Sequence, residues 1–166
     1  LERLSTQDGL TEIANRRHFD AMLDQEWRRG TRGGTPLTLM LMDVDFFKKI
    51  NDTYGHPAGD YVLTRLVTLT RSIIRSEDIL ARFGGEEFTI ILKGTPSEGA
   101  ITLTERLRKL IDESIFEFEE KRIHVTISMG VATLPHKNLK SHEAMLKMAD
   151  DLLYHSKKSG RNRVSY

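Results

Sequence analysis

The feature of this chain that most constrains its fold is a nearly unbroken apolar run at residues 36–43, which contains Leu37, Leu39, Met40, Leu41 and Met42. A short apolar run without polar alternation is typical of a β-strand buried on both faces, so it predicts a strand in the middle of a sheet. The run ends in Asp43-Val44-Asp45, whose two carboxylates are two residues apart and project to the same side. Carboxylates at the mouth of an apolar strand are unfavourable without compensating positive charge, which makes this strand end a candidate site.

Helical periodicity and turn residues predict the elements around this strand. Helices are expected over about 15–29, 58–75, 97–113 and 141–158, with a short polar helix or turn after the first strand. Strands at 78–83 and 86–92 are joined by Gly84-Gly85, which predicts a hairpin with a tight turn at positive φ. A strand is expected at 125–133, with residues 116–118 paired beside it, and an edge strand at 164–166. This order predicts an α+β fold with a ferredoxin-like βαββαβ core, a central antiparallel sheet flanked by helices that cover one face.

Composition excludes several classes of protein. The 166 residues fit one domain, and 25 basic against 24 acidic side chains give a formal charge of +1, which provides no bulk attraction to nucleic acid or to an acidic membrane. The absence of cysteine excludes a disulfide scaffold, a thiol nucleophile and Cys-ligated zinc. The phosphate-binding patterns GxGxxG and GxxxxGK(S/T) are also absent. Any recognition of phosphate must therefore be local.

Two acidic clusters are expected to meet at the end of the first strand. Asp43 and Asp45 end that strand, and Glu86 and Glu87 follow the glycine turn of a hairpin that lies beside it in the predicted fold. Carboxylates brought together in this way predict a site for a hard cation such as Mg²⁺. Solvated acids at a strand end are the alternative, and the spacing alone leaves both interpretations open.

Polar residues after the first strand provide groups for phosphate and base recognition. Lys48 and Lys49 lie near the same strand end, where they are able to meet phosphates. Asn51 and Asp60 supply an amide and a carboxylate suited to a base edge, since a carboxylate accepts from the N1–H and exocyclic amine of guanine. Asn in a turn and Asp at a helix N-cap are also the commonest structural uses of these residues, so from the residues alone the structural interpretation is favoured.

Taken together, these motifs resemble the GGDEF domain family, the diguanylate cyclases. The motif that names the family stands here as its GGEEF variant, Gly84-Gly85-Glu86-Glu87-Phe88. Four further stretches agree in order along the chain, namely Asp8 to Thr11 with Asn15-Arg16-Arg17, Asp43 to Asp60, Val125 to Val131, and Ala149 to Asn162. The resemblance covers essentially the whole chain and implies the fold of nucleotidyl cyclases and polymerase palm domains.

The resemblance implies an enzyme that condenses two GTP into cyclic di-GMP and releases two pyrophosphates. Asp43, Glu86 and the Val44 carbonyl are expected to hold Mg²⁺, with Mn²⁺ as an alternative. The residues expected to act in catalysis are Glu86 as proton acceptor, Glu87 and Lys48. The residues expected to bind substrate are Asn51 and Asp60 at guanine, Lys48, Lys157 and Arg161 at the triphosphate, and Phe47 and His56 beside them. Asp45 is expected at most to orient the site.

A second motif of the family concerns regulation. Arg75-Ser76-Glu77-Asp78 is an RxxD sequence whose Asp lies shortly before Gly84, at the offset of the family's product-binding inhibitory site. Arginine suits the Hoogsteen edge of guanine and phosphate, and the carboxylate suits the Watson–Crick edge. Arg106 matches a secondary arginine of that site. An RxxD at a helix end without any ligand is the structural alternative.

The leading hypothesis is an active, product-inhibited cyclase that works as a homodimer, because each domain would hold only one GTP. Residues 1–7 are expected to end a linker helix from an upstream sensor domain of the parent chain, and residues 8–166 to form the cyclase domain. We expect a cytoplasmic domain without nucleic-acid or membrane contact, although the parent protein could be membrane-anchored. The rival hypothesis is an inactive receptor for cyclic di-GMP or GTP. A cyclase of adenine-containing dinucleotides is disfavoured by Asp60.

Overall fold

The computed structural model of this chain describes residues 5–166. Within them the strands are β1 (Leu37–Val44), β2 (Ile79–Gly84), β3 (Glu87–Lys93), β4 (Phe116–Phe118), β5 (Lys121–Ile123), β6 (Ile127–Leu134) and β7 (Arg163–Ser165). The helices are α1 (Arg16–Gly33), α2 (Phe47–Tyr54), α3 (His56–Arg71), α4 (Ser97–Glu113) and α5 (His142–Lys158). No helix among these is long and apolar enough to cross a membrane.

The central sheet has the strand order β2-β3-β1-β6-β7. β1 pairs antiparallel with both β3 and β6, and every one of its residues is buried, so the predicted central strand is confirmed. β7 pairs parallel with β6 and forms the predicted edge strand. The first four strands in this order, with α3 and α4 as crossovers, are the ferredoxin-like βαββαβ core, and the predicted fold class is confirmed.

Helices cover both faces of the sheet, and the prediction that they cover one face is therefore wrong. The core on one side combines Met40 and Met42 of β1 with residues of α3 and α4, such as Leu66 and Leu107. The opposite side combines Leu39 and Leu41 with residues of α1 and α5. Alternating residues of β1 are apolar on both sides, so each face needs its own layer of helices.

Two local details of the predicted strands also differ. Residues 116–118 pair with β5 in a separate two-stranded sheet, not beside β6, because Glu119 and Glu120 adopt positive φ and close a tight local hairpin. The hairpin of β2 and β3 forms as predicted, but its turn consists of Gly85 and Glu86, and neither Gly84 nor Gly85 adopts positive φ. A register shift between Arg82 and Gly84 accommodates the turn instead.

The N-terminal segment is held against β2. Ala14 bridges both Gln7 and Ala81, and the Arg82 N–H donates to the Ala14 carbonyl at 2.9 Å. Of the linker helix predicted over 1–7, residues 1–4 lie outside the described residues, and residues 5–7 are not helical. The domain boundary at residue 8 stays a prediction.

Candidate active site

The tip of the β2–β3 hairpin lies against the end of β1. Glu86 is in the turn, and Glu87 is opposite Asp43 in the antiparallel register of β1 and β3. The Val44 N–H donates a hydrogen bond of 3.2 Å to the Glu86 carbonyl, which fixes the hairpin tip beside the strand end. The structure thus brings Asp43, Val44, Glu86 and Glu87 to one corner of the sheet.

The Asp43 carboxylate is the buried centre of this corner. It forms an ion pair with the ammonium of Lys157, which reaches it from the last turn of α5. Burial raises the pKa of Asp43 to about 6; Lys157 lowers this pKa, and the negative charges of Glu86 and Glu87 raise it. A buried carboxylate beside two others is stabilised by any cation that approaches it, and Lys157 is that cation here.

The donor groups of this corner fit a hard divalent cation. Mg²⁺ and Mn²⁺ prefer carboxylate and carbonyl oxygens, which Asp43, Glu86 and the Val44 carbonyl supply. Nowhere between Ser5 and Tyr166, however, are three Asp, Glu or His side chains already arranged as a metal site. The Oδ2 of Asp43 is instead paired with Lys157. A cation bound at this oxygen would therefore compete with Lys157.

The residues predicted to read guanine lie on α2 and α3. Asp60 is exposed, whereas Asn51 is half-buried and its Oδ1 is buried without a hydrogen-bond partner. Gly59 is pressed against this amide: a Cβ there would overlap the Asn51 Oδ1 and come within 3.2 Å of the Phe47 ring. A buried acceptor without a partner is unusual in a folded protein, which makes this amide a candidate for contact with a ligand.

The residues predicted to bind the triphosphate differ in how far they are buried. Lys48 is exposed on the first turn of α2, and His56, predicted beside the substrate, is exposed at the start of α3. Arg161 follows α5, and its guanidinium lies 4.6 Å from the centre of the exposed Phe46 ring. Lys157 and Arg161 both approach the end of β1, since Lys157 contacts Asp43 and Arg161 lies 3.8 Å from Asp45.

The RxxD residues lie in the turn between α3 and β2, because α3 ends at Arg71 rather than at the predicted residue 75. The buried Asp78 carboxylate accepts from the Arg75 N–H at 2.9 Å and from its guanidinium at 3.1 Å. Asp78 is also the main cause of a raised Arg75 pKa. The pair closes its own turn, and a cavity of ≈ 570 Å³ lies beside it, lined by residues that include His18 and Arg71. Arg106 is exposed on α4, and among the described residues no hydrogen bond or ion pair joins it to Arg75 or Asp78.

Sequence reasoning missed two residues that organise this corner. Arg82 donates to the Gly85 carbonyl at 2.8 Å and to Asp8 at 3.2 Å, and so ties the hairpin tip to the N-terminal segment. Asn162 donates its backbone N–H to Asp45 at 2.9 Å. The position of Arg82 directly before Phe83-Gly84-Gly85 could have indicated its role at the hairpin. Asn162 and Asp45 are 117 residues apart, so no local pattern indicates their contact.

The family model described as the diguanylate cyclase GGDEF domain matches residues 5–163 of this chain. Diguanylate cyclase A of Treponema denticola is 38% identical over 99% of this chain, and the match covers 45% of that protein. The chain spans less than half the length of the curated relatives it matches first.

Solved structures agree in fold over nearly the whole chain. The GGDEF domain of DgcB from Caulobacter crescentus, solved in complex with c-di-GMP, superposes with a TM-score of 0.92 at 34% identity, covering 99% of this chain and 94% of that one. The active GGEEF domain of a diguanylate cyclase from Vibrio cholerae gives a TM-score of 0.86 at 37% identity, covering 92% and 96%. The similarity therefore extends to the same variant of the hairpin motif.

Proposed function

This chain belongs to the diguanylate cyclase GGDEF domain family, and we propose that it is an active cyclase that condenses two GTP into cyclic di-GMP and releases two pyrophosphates. The observation that supports this most is the corner where the GGEEF hairpin tip meets the end of β1. Asp43, Glu86 and Glu87 converge there, with Lys157 already paired to the buried carboxylate. An acidic corner with cations at its rim suits a polyphosphate that arrives with its metal ions.

Each bond of the product forms when the 3′-oxygen of one GTP attacks the α-phosphorus of the other. The bond from that phosphorus to the pyrophosphate breaks, and the proton of the 3′-hydroxyl goes to a base. Glu86, at the hairpin tip, would accept this proton, with Glu87 beside it. Mg²⁺ held by Asp43, Glu86 and the Val44 carbonyl would stabilise the charge on the phosphates and lower the pKa of the hydroxyl.

The cations of the corner would bind the triphosphate. Lys157 is paired to Asp43 in the free domain, and we infer that it turns to the phosphates when a metal takes its place. Lys48 and Arg161 would contact the same group from α2 and from the turn after α5. Asn51 and Asp60 would read guanine: the unpartnered amide of Asn51 supports this, as does the close fit of Gly59 beside it. Phe47 and His56 would line the same pocket.

Regulation would act at two levels. Product binding at Arg75 and Asp78, with Arg106 from a second domain, would inhibit the enzyme. For that, Arg75 has to turn from Asp78 to the ligand, which its half-exposed guanidinium allows. A homodimer is needed because each domain reads one guanine. We propose that an upstream sensor domain in a cytoplasmic or membrane-anchored parent protein controls this pairing.

Incubation of the domain with GTP and Mg²⁺, followed by chromatographic separation of the nucleotides, tests the function. We expect cyclic di-GMP and pyrophosphate in a ratio of one to two, and no product from Glu86→Gln. Glu98→Gln, at an exposed position in the first turn of α4, is the matched control and should leave the rate unchanged. If a dimerised form binds GTP or cyclic di-GMP but makes no product, the domain is a receptor and the proposal is wrong.

A further inference from the structure

Asp45 is a buried carboxylate at the active-site corner that the proposed chemistry does not use. Its side chain is 1% exposed, and neutral donors occupy both of its oxygens. Oδ1 accepts from the Ser128 hydroxyl at 2.6 Å, and Oδ2 accepts from the Thr126 hydroxyl at 2.8 Å and from the Asn162 N–H at 2.9 Å. Asp45 therefore differs from Asp43, whose side chain has Lys157 as its one polar partner within residues 5–166, and it has little capacity left for a metal ion.

The turn that Asp45 holds has an unfavourable backbone. Arg161 has a φ of 64°, in the left-handed region that an arginine seldom adopts, and the next residue, Asn162, has a φ of 45°, which asparagine tolerates better. Further hydrogen bonds converge on Asn162, since Arg108 donates to its Oδ1 at 3.1 Å and its amide donates to Asp112 at 3.3 Å. A strained turn persists only where its surroundings hold it, and strain of this kind is concentrated at functional sites.

The turn presents Arg161 at the mouth of the corner. Its guanidinium lies over Phe46, which is 60% exposed and also has a left-handed backbone, with φ of 55°. The guanidinium is 3.8 Å from the Asp45 Oδ1, a distance that orients it without a direct hydrogen bond. Two strained residues, Phe46 and Arg161, thus meet beside the same buried carboxylate.

We propose that Asp45 is a positioning residue that holds the Arg161–Asn162 turn so that Arg161 meets the substrate triphosphate. This rests on the proposed function for the identity of the ligand. Asp45 acts on Arg161 through the backbone of Asn162 and through the orientation of the guanidinium, and it touches neither substrate nor metal itself. Two aspartates separated by one residue then have separate tasks, Asp43 at the cation and Asp45 at the turn.

A double-mutant cycle tests whether Asp45 acts through Arg161. Binding of a GTP analogue with a methylene bridge between the α- and β-phosphorus atoms is measured by calorimetry, in Mg²⁺, for the wild type, Asp45→Asn, Arg161→Ala and the double variant. We expect Asp45→Asn to weaken binding about tenfold in the wild-type background, the loss typical of one charged hydrogen-bonded partner. In the Arg161→Ala background, Asp45→Asn should weaken binding by a further factor of less than about two, because Asp45 affects the ligand through Arg161.

Equal losses in the two backgrounds, or no loss in the first, would overturn the proposal. Glu26→Gln is the control, since Glu26 is a buried carboxylate of α1 away from this corner, and its analogue affinity should match that of the wild type. If the wild type binds the analogue but makes no cyclic di-GMP, the proposed function fails while the cycle still decides the role of Asp45.

Hydrogen exchange provides a readout without nucleotide. The Asn162 amide, which donates to Asp45, should exchange about tenfold faster in Asp45→Asn, while the amide of Met40 in β1 keeps its protection. Unchanged exchange at Asn162 would show that other contacts hold the turn and would contradict the proposal. Loss of protection at both amides would mean general unfolding and would equally contradict a local role.

Discussion

At the scale of single residues, the role of a side chain depends on its hydrogen-bond and charge partners more than on its identity. Asp43 and Asp45 lie at the end of the same strand, but Lys157 pairs with Asp43, whereas neutral donors hydrogen-bond Asp45 and Arg161 lies 3.8 Å from it. Asn51 and Asp60 also differ: a buried amide oxygen lacks a partner, whereas the carboxylate is exposed to solvent. Asp60 has no hydrogen-bond or ion-pair partner in the described part of the chain, and an exposed carboxylate of this kind suits selection between ligands, because it contributes only when the correct donors bind.

Substitution of Asp60 should therefore change the choice of base. In Asp60→Ser we expect kcat/KM for GTP to fall about tenfold to a hundredfold, because the carboxylate that would accept from two guanine N–H groups is lost. ITP lacks the exocyclic amine, so its kcat/KM should fall less. The ratio of kcat/KM for GTP to that for ITP should therefore fall toward one. Steady-state rates with both nucleotides measure this.

Asp52→Ser is the matched control for that experiment. Asp52 is an exposed aspartate of α2, one residue after Asn51, and its removal should leave the ratio of GTP to ITP unchanged. A ratio that stays at its wild-type value in Asp60→Ser would contradict guanine recognition by Asp60.

At the scale of elements, the packing of α5 on β6 sets the position of Lys157 and of the turn that follows it. Gly130 of β6 lies directly under the α5 backbone, and a Cβ there would overlap the Ala149 carbonyl and the Leu153 N–H and come within 2.9 Å of the Leu152 carbonyl carbon. Ser156 of α5 donates to the Met129 carbonyl at 2.7 Å. The helix thus lies as close to the strand as two backbones allow.

Gly130→Ala should destabilise the domain through this contact. Backbone cannot move aside as a flexible side chain does, so we expect a loss of about 3 kcal/mol in the free energy of unfolding. For a domain of this size that loss lowers Tm by about 6–12 °C. Gly99→Ala, at an exposed helical position whose nearest Cβ contact would be 3.4 Å, should be neutral or slightly stabilising. Calorimetric Tm values compare the two, and an equal Tm for both variants would contradict the close-packing argument.

The N-terminal segment is a second element whose attachment is testable, through pH. Burial raises the pKa of Asp8, but hydrogen bonds from Thr11 and Arg82 outweigh it and hold the pKa below its usual value of 3.8. A carboxyl with a lowered folded-state pKa stabilises the fold above its unfolded-state pKa, and this contribution is lost as the pH falls through the folded-state pKa. Asp8→Asn should therefore cost about 1–2 kcal/mol at pH 7. The difference from wild type should stay constant down to about pH 5 and shrink below about pH 4.

Urea unfolding of both proteins between pH 7 and pH 3 measures that difference. Asp20→Asn, an exposed aspartate of α1, is the control and should follow the wild type at every pH. A difference that is independent of pH would show that Asp8 contributes through shape rather than charge.

How far the sequence predicts these elements depends on the range of the contacts involved. The unbroken apolar run of β1 predicts its central position in the sheet, because consecutive apolar residues indicate burial on both faces. The pairing of residues 116–118 was wrong, since a three-residue strand has too little pattern to name its partner, and two left-handed glutamates decide it locally. The acidic corner could be predicted from the sequence motif and the expected hairpin. The hydrogen bond between Asp45 and Asn162 could not, because only the folded sheet brings these two residues together.

At the scale of the whole molecule, the domain is half of the catalyst proposed for it. It provides one acidic corner and one pair of residues proposed to bind guanine, while the proposed product contains two guanines and two new phosphodiester bonds. If each corner forms one of those bonds, the two steps occur at two separate sites of a dimer. The first step would release one pyrophosphate and leave a linear dinucleotide, and the second would close the ring.

Dimers of one wild-type and one variant domain should therefore form only the first of the two phosphodiester bonds. We expect wild-type domain mixed with an excess of Glu86→Gln to form dimers with one competent corner, which make one bond and accumulate the linear dinucleotide that still carries a triphosphate. Chromatography with mass detection should show this species rising with the share of variant, while the rate of cyclic di-GMP formation falls. An excess of Asp52→Ser domain, which keeps both corners intact, should give no such intermediate. If the variant lowers the rate without any linear product, both bonds form at one corner and the division of labour between two domains is wrong.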